Sequence, residues 1–175
     1  GRVHDLSMLP ALAQRLQVYP QIHFLVIGDG AGREALIDAC NRLALKNITF
    51  LTFQDEVLLP YSLATADVSI VALAEAGEGV SMPSKTYYAM AAGSALLGIS
   101  RNSSDLAKVI QKHDCGANVE PGNVDAATSA LVYFMEHPEQ LAACRRRARA
   151  AAETHYDRQV VLPHLLDILR SALDS

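Results

Sequence analysis

Residues 22–44, IHFLVIGDGAGREALIDACNRLA, constrain the fold more than any other stretch. An uninterrupted apolar run stops at Gly28, and apolar residues then recur at 35, 36, 39, 40 and 43. The run has the character of a buried strand and the later spacing that of an amphipathic helix, so the stretch is one strand–loop–helix unit. The alternation continues. NITFL, DVSIVAL, SALLGIS and CGANVE are further strand candidates, separated by the helical patterns LLPYSLATA, SKTYYAMAAG and SSDLAKVIQKH. Gly93 is placed to end the middle helix. Leu6, Leu9, Leu12, Ala13 and Leu16 predict an amphipathic helix near the start. From Val124 onward the chain reads as almost wholly helical, with Pro138 suited to a first helical turn. Strands apolar on both faces predict a parallel sheet covered by helices on each side. The expected fold is therefore α/β, a doubly wound parallel sheet followed by C-terminal helices.

Composition narrows the function. The 175 residues are half apolar and 19% charged, enough to bury one core, so residues 1–175 are expected to form a single domain. A net charge of −4 and a pI near 5.8 supply no general attraction for nucleic acid, so any anion site must be built locally. Arg145, Arg146, Arg147 and Arg149 read as a solvated helix face rather than a nucleic-acid patch. Cys40, Cys115 and Cys144 are odd in number and lack a CxxC, which fits reduced thiols of a cytoplasmic protein and no zinc site. No apolar run reaches the roughly 18 residues of a membrane span, and nothing resembles a signal peptide. The absence of an initial Met and the abrupt first helix suggest an excised piece.

In a doubly wound sheet, ligands bind beyond the carboxyl ends of the strands, so the loops there carry the functional information. Gly28-Asp29-Gly30-Ala31-Gly32-Arg33 places bare backbone at a helix start, where unpaired N–H groups and the helix dipole favour an anion. It fails as a dinucleotide fingerprint because Arg33 stands where a third glycine is needed. A plain tight turn with Asp29 capping the helix explains it equally well. The stretch GEGVSMPSKTYYAMAAG, residues 77–93, is more specific. Gly77 and Gly79 permit close approach of a ligand, Pro83 presets a first helical turn, and Ser84 and Lys85 add a hydroxyl and a cation beside free N–H groups. A pyrophosphate fits this order of residues. So does a glycine loop with Ser84 as a simple cap.

Five pieces in this order resemble the C-terminal, nucleotide-sugar-binding domain of retaining GT-B glycosyltransferases of family four, in the form found in bacterial polysaccharide biosynthesis. They are HD at 4–5, P-x-I-x-F-x-V-I-G-D-G-x-x-R from Pro20 to Arg33, NITFL at 47–51, LPYSLATADVSIV from 59 to 71, and PSKTYYAMAAG from 83 to 93. The resemblance runs from Gly1 to about Tyr156 and implies a Rossmann-like half of a GT-B fold holding a UDP-sugar donor. It implies that Gly1, Arg2 and His4 belong to an upstream diphosphate loop, with Gly28 and Gly30 also near the nucleotide-sugar. Thr52, Phe53 and Gln54 would lie beside uracil, gripping it largely through backbone groups. Glu78 would contact sugar hydroxyls and, with Lys85, carry the catalytic role, while Gly79, Ser81, Pro83 and Ser84 would line the donor at the helix start.

The implied chemistry is glycosyl transfer without a cofactor or metal, in which a cation and helix N–H groups stabilise the departing diphosphate. A glycan or lipid-linked acceptor would bind an N-terminal domain absent from these residues, and a full-length enzyme would associate peripherally with the inner face of a membrane. One residue departs from the pattern. The family's second glutamate, which binds the ribose, is replaced by Tyr88, and Glu75 competes with Glu78 for the first. Two alternatives follow: a degenerate non-catalytic nucleotide-sugar-binding or assembly module, and a UDP-sugar epimerase-type domain, although no acid/base residues for the latter are identifiable.

Overall fold

The computed structural model describes residues 6–30, 32–73 and 82–173. Among these residues, five strands with parallel pairing alternate with helices, as the periodicity predicts. Helix α1 (Leu9–Leu16) has Pro10 in its first turn and buries Leu9, Leu12, Ala13 and Leu16. Strand β1 (Phe24–Ile27), helix α2 (Arg33–Arg42) and strand β2 (Ile48–Leu51) form the first unit, with Phe24 opposite Ile48 and Ile27 opposite Leu51. A 3-10 turn at Glu56–Leu58, capped by Asp55 through the Val57 N–H, leads into α3 (Leu59–Ala64). Then come β3 (Val68–Ala72), α4 (Ser84–Ala91), β4 (Ala95–Ile99), α5 (Asp105–His113) and β5 (Gly116–Val119). Helices α6 (Val124–Glu136), α7 (Pro138–Ala151) and α8 (Arg158–Leu173) complete the described chain.

Strand β4 is the centre of the molecule, and all five of its residues are buried. It pairs with β3 on one side and β5 on the other, both in parallel. Its side chains alternate faces, as a pleat requires. Leu97 and Ile99 join a cluster with α1 and α6, whereas Leu96 joins Met90 of α4, Leu106 and Ile110 of α5, and Ala148 of α7. Helices thus cover both faces, the doubly wound arrangement expected. Gly116 is dictated by this pairing, since a Cβ there would stand 1.9 Å from the Leu96 carbonyl oxygen. At Gly93, φ is +74°, so glycine supplies the left-handed residue that ends α4.

Three expectations need correction. The strands are not all apolar on both covered faces: Leu25, Ile27 and Leu51 are exposed, so β1 and β2 alternate in and out. The hydrogen-bonded strands also fall into two groups among the described residues, β1–β2 and β3–β4–β5. No ladder there joins β1 to β3, although Phe24 and Val26 share one core cluster with Val68, Ile70 and Ala72. Finally, three of the four α7 arginines do not form a free solvated face. Arg145 binds the Gly93 carbonyl at 2.9 Å and the Asp67 carboxylate at 2.6 Å, and Arg147 binds Asp114. Arg149 reaches both the Ala91 carbonyl and Glu153. Arg145 and Arg149 satisfy the carbonyl end of α4 and Arg147 that of α5, where positive charge is favoured.

Helix α7 runs on into a single π-turn, Ala152–Tyr156, which periodicity alone could not reveal. The wider turn brings the Tyr156 hydroxyl within 2.9 Å of His113 Nε2 and its ring within 4.7 Å of the Tyr87 ring. Beyond it, α8 buries no residue, and its large apolar side chains are 41–87% exposed. The three cysteines are free and buried, and burial pushes the Cys115 thiol up to about 11, which makes it a packing residue.

Candidate functional site

The strands of each group run in parallel, so the loops leaving the carboxyl ends of neighbouring strands lie side by side, and most candidate residues sit there. Gly28 follows β1 with φ at +127°, a conformation that favours glycine, and its N–H bonds the Leu51 carbonyl at 3.1 Å. The loop after β2 carries Thr52, Phe53 and Gln54, all at the same end as Gly28 and Gly30. Phe53 is 79% exposed, a large apolar surface that no described residue covers.

Asp29 does not cap α2. That helix begins after Gly32 with no side-chain cap, and Asp29 instead accepts the Phe53 N–H on Oδ2 at 3.0 Å. Its other oxygen, Oδ1, lies 3.5 Å from Arg33 Nε. The Gln54 side-chain amide donates to the Thr52 carbonyl at 2.9 Å. Two backbone groups of the expected base-binding loop are therefore engaged inside the protein, so a base would meet the Phe53 ring and the remaining backbone groups. Sequence reading missed this because the partner lies on a neighbouring strand; the only available signal was an acid between two glycines at a strand end.

Helix α4 begins at Ser84, with Pro83 as the residue before it, at φ −61° and ψ 122°. Pro83 thus directs the chain into the helix rather than occupying its first turn, and as the N-cap residue it supplies no side-chain cap. Ser84 and Lys85 are exposed at this N-terminus. Tyr88 lies one turn beyond Ser84 and is 58% exposed, so its side chain is not part of the core. Tyr87 is half-buried with its ring tilted against that of Tyr156, while Thr86 is fully buried with its hydroxyl unpartnered among the described residues. Helix α3, which follows the Phe53 loop, packs against α4 and places the two candidate stretches on adjoining elements. Gly1, Arg2, His4, Glu75, Gly77, Glu78, Gly79 and Ser81 lie outside the described residues.

Two shallow concavities open elsewhere, toward the amino ends of β4 and β5. One is lined by Ala92, Gly93, Arg145, Arg146, Arg149 and Glu153, the other by residues of β5, α6 and α7. Neither contains an expected site residue. Among the described residues, no group of three or more His, Cys, Asp or Glu side chains is arranged to hold a metal, and no helix is long and apolar enough to cross a membrane.

Parallel strands with helices on both faces define the class: a doubly wound α/β domain, with an exposed cation and hydroxyl at the start of the helix after β3. The family follows from comparison with known proteins. Residues 4–151 match the model of the glycosyl transferases group 1 family, and the chain belongs to that family. It is 31% identical over 105 residues to the probable glycosyltransferase WbjE of Pseudomonas aeruginosa, an alignment covering 57% of this chain and 25% of that protein. Its fold matches Anabaena Alr3699/HepE solved with UDP (TM-score 0.82, 17% identity) and with UDP-glucose (0.79, 18%), covering 98% of this chain and 46% of HepE each time. It also matches WaaG, a glycosyltransferase involved in lipopolysaccharide biosynthesis, with a TM-score of 0.67 and 17% identity over 91% of this chain and 41% of that one. The chain spans a quarter of WbjE and under half of HepE and WaaG. The resemblance to the Rossmann-like half of GT-B glycosyltransferases stands on these matches.

Proposed function

We propose that this chain is the donor-binding domain of a glycosyltransferase that moves a sugar from a UDP-linked donor to a glycan or lipid-linked acceptor. The observation that carries the reading is the start of α4, where Ser84, Lys85 and Tyr88 are exposed together beyond the carboxyl end of β3. Family membership and the UDP complexes of HepE support it. In transfer, the bond from the anomeric carbon to the diphosphate breaks, a bond to the acceptor oxygen forms, and the acceptor hydroxyl loses its proton. Negative charge builds on the departing diphosphate. Lys85 and the free N–H groups of α4 are set to stabilise that charge, with Arg2 and His4 assigned to the same diphosphate. Glu78, Gly79 and Ser81 are assigned to the sugar, and Thr52, Phe53 and Gln54 to the base. The reading assigns no metal or cofactor.

The acceptor is assigned to a second domain. The exposed apolar face of α8 supports this, because the matched HepE structures align with 98% of this chain yet are about twice as long. Such a domain would cover α8 in the full enzyme.

Calorimetry with uridine and UDP tests the donor site. Lys85→Ala should weaken UDP by roughly 1–3 kcal/mol and uridine far less, because the lost charge-assisted contact acts on the diphosphate. No binding of UDP by the unaltered chain at millimolar ligand would remove the reading. It would favour a non-catalytic module, the alternative to which Tyr88 in place of the family's glutamate points.

A further inference from the structure

Loops that follow parallel neighbours are held together only at their strands unless a side chain crosses between them. Here one does. Asp29, in the loop after β1, accepts the Phe53 N–H from the loop after β2, 24 positions along the chain. Its second oxygen faces Arg33 Nε, in the first turn of α2, so the ion pair aims the carboxylate. Arg33 is only 24% exposed along its side chain, and its Nε is buried without a hydrogen bond among the described residues, so the guanidinium is packed in place rather than free to swing. The same loop is tied internally by Gln54 to the Thr52 carbonyl and by Asp55 to the Val57 N–H, at 2.9 and 3.3 Å. Three polar contacts thus hold loop residues 52–55, while the Phe53 ring stays 79% exposed.

From this geometry we infer that Asp29 is a positioning residue for nucleoside recognition: aimed by Arg33, it fixes the Phe53 loop so that the ring and the remaining backbone groups meet the base. The inference rests on the donor-site reading above. Preorganising a loop lowers the ordering cost of binding, and an exposed aromatic ring offers a stacking face. The Phe53 N–H, already held by Asp29, is not available to the base. Asp29 acts through Phe53 and touches neither phosphate nor sugar. Its removal should therefore affect ligands with and without a diphosphate alike, the opposite of the pattern expected for Lys85.

The experiment titrates uridine and UDP into the unaltered chain, Asp29→Ala and Asp29→Asn, and follows the Phe53 amide resonance and the melting temperature of each. Asp29→Ala should weaken both ligands by the same factor, about three- to tenfold, the size of one ordinary hydrogen bond's contribution to holding the loop. The Phe53 amide should shift and the melting temperature hold. Asp29→Asn, whose side-chain oxygen still accepts the Phe53 N–H, should recover most of the affinity. Binding by Asp29→Ala equal to that of the unaltered chain would overturn the role of Asp29 alone. An Asn variant as weak as Ala, with a lowered melting temperature in both, would reduce Asp29 to a structural residue. Failure of the unaltered chain to bind either ligand would overturn the donor-site reading together with this one.

Discussion

Strands β1 and β4 are nearly interchangeable on paper, FLVI against ALLGI, yet the molecule treats them differently. Every residue of β4 is buried, because helices lie on both faces and strands on both edges. In β1 only Phe24 is fully buried, and Leu25 is 42% exposed. The lesson is that an apolar run reports the capacity to be buried, not the number of layers that come to cover it. Two functions are separated along the same sheet direction. The β3–β4–β5 group is covered on both faces and leads into the exposed start of α4, whereas the β1–β2 pair, with one face open, carries loops braced by polar contacts.

That contrast can be broken most severely at Gly116. A methyl group there meets the Leu96 backbone, which cannot rotate away, so Gly116→Ala should cost about 4 kcal/mol or more and disrupt the β4–β5 pairing. Urea melts of the variant, with amide exchange at Leu96 to Ile99, check this; a loss under 1 kcal/mol would show that the strands separate easily.

A direct comparison uses one leucine from each group. Leu97→Ala in β4 should destabilise by about 3 kcal/mol through lost burial and a residual cavity. Leu25→Ala in β1 should cost no more than about 0.5 kcal/mol, as at other exposed positions. Equal losses would mean that β1 is covered in solution, and so sharpen the search for what covers it.

Acid should act on the packed group through His113. Burial, followed by the nearby His155 and Lys112 charges, holds its pKa below the ordinary histidine value. Its neighbours at the π-turn also include the Tyr156 hydroxyl, which it bonds, and the Tyr87 ring tilted beyond. The unfolded chain therefore takes up the proton first. Stability should be full above about pH 6.5 and fall as the pH drops below it toward the depressed folded value. Melting temperature followed from pH 8 to 5 should show this fall, and His113→Gln should flatten it. An identical slope in the variant would assign the effect to another group.

The smallest effect is expected at α8. Replacing Leu162, Leu165 and Leu169 together by Gln should change the stability of this chain by no more than about 0.5 kcal/mol, since none is buried. A loss above about 2 kcal/mol in urea melts would show that α8 packs on the domain after all.

By itself, the sequence determined the element order and the doubly wound class. Helical and strand periods are local properties: Leu9, Leu12, Ala13 and Leu16 lie on one face of α1 whatever that face meets. It also determined that Ser84 and Lys85 stand at a helix start, because Pro83 immediately precedes them and proline restricts where a helix can begin. The fold beyond single elements needed the tertiary structure. Tyr87 and Tyr88 are adjacent and chemically identical, and only the packing of the π-turn against α4 set one ring against that of Tyr156 and left the other exposed. Asp29 was legible as a helix cap, which is its local option. It became a brace between loops because parallel pairing of β1 and β2 carried the Phe53 N–H, remote in sequence, within 3.0 Å of its carboxylate. Local chemistry proposes partners for a polar group, and which partner is met depends on where the rest of the chain has been placed.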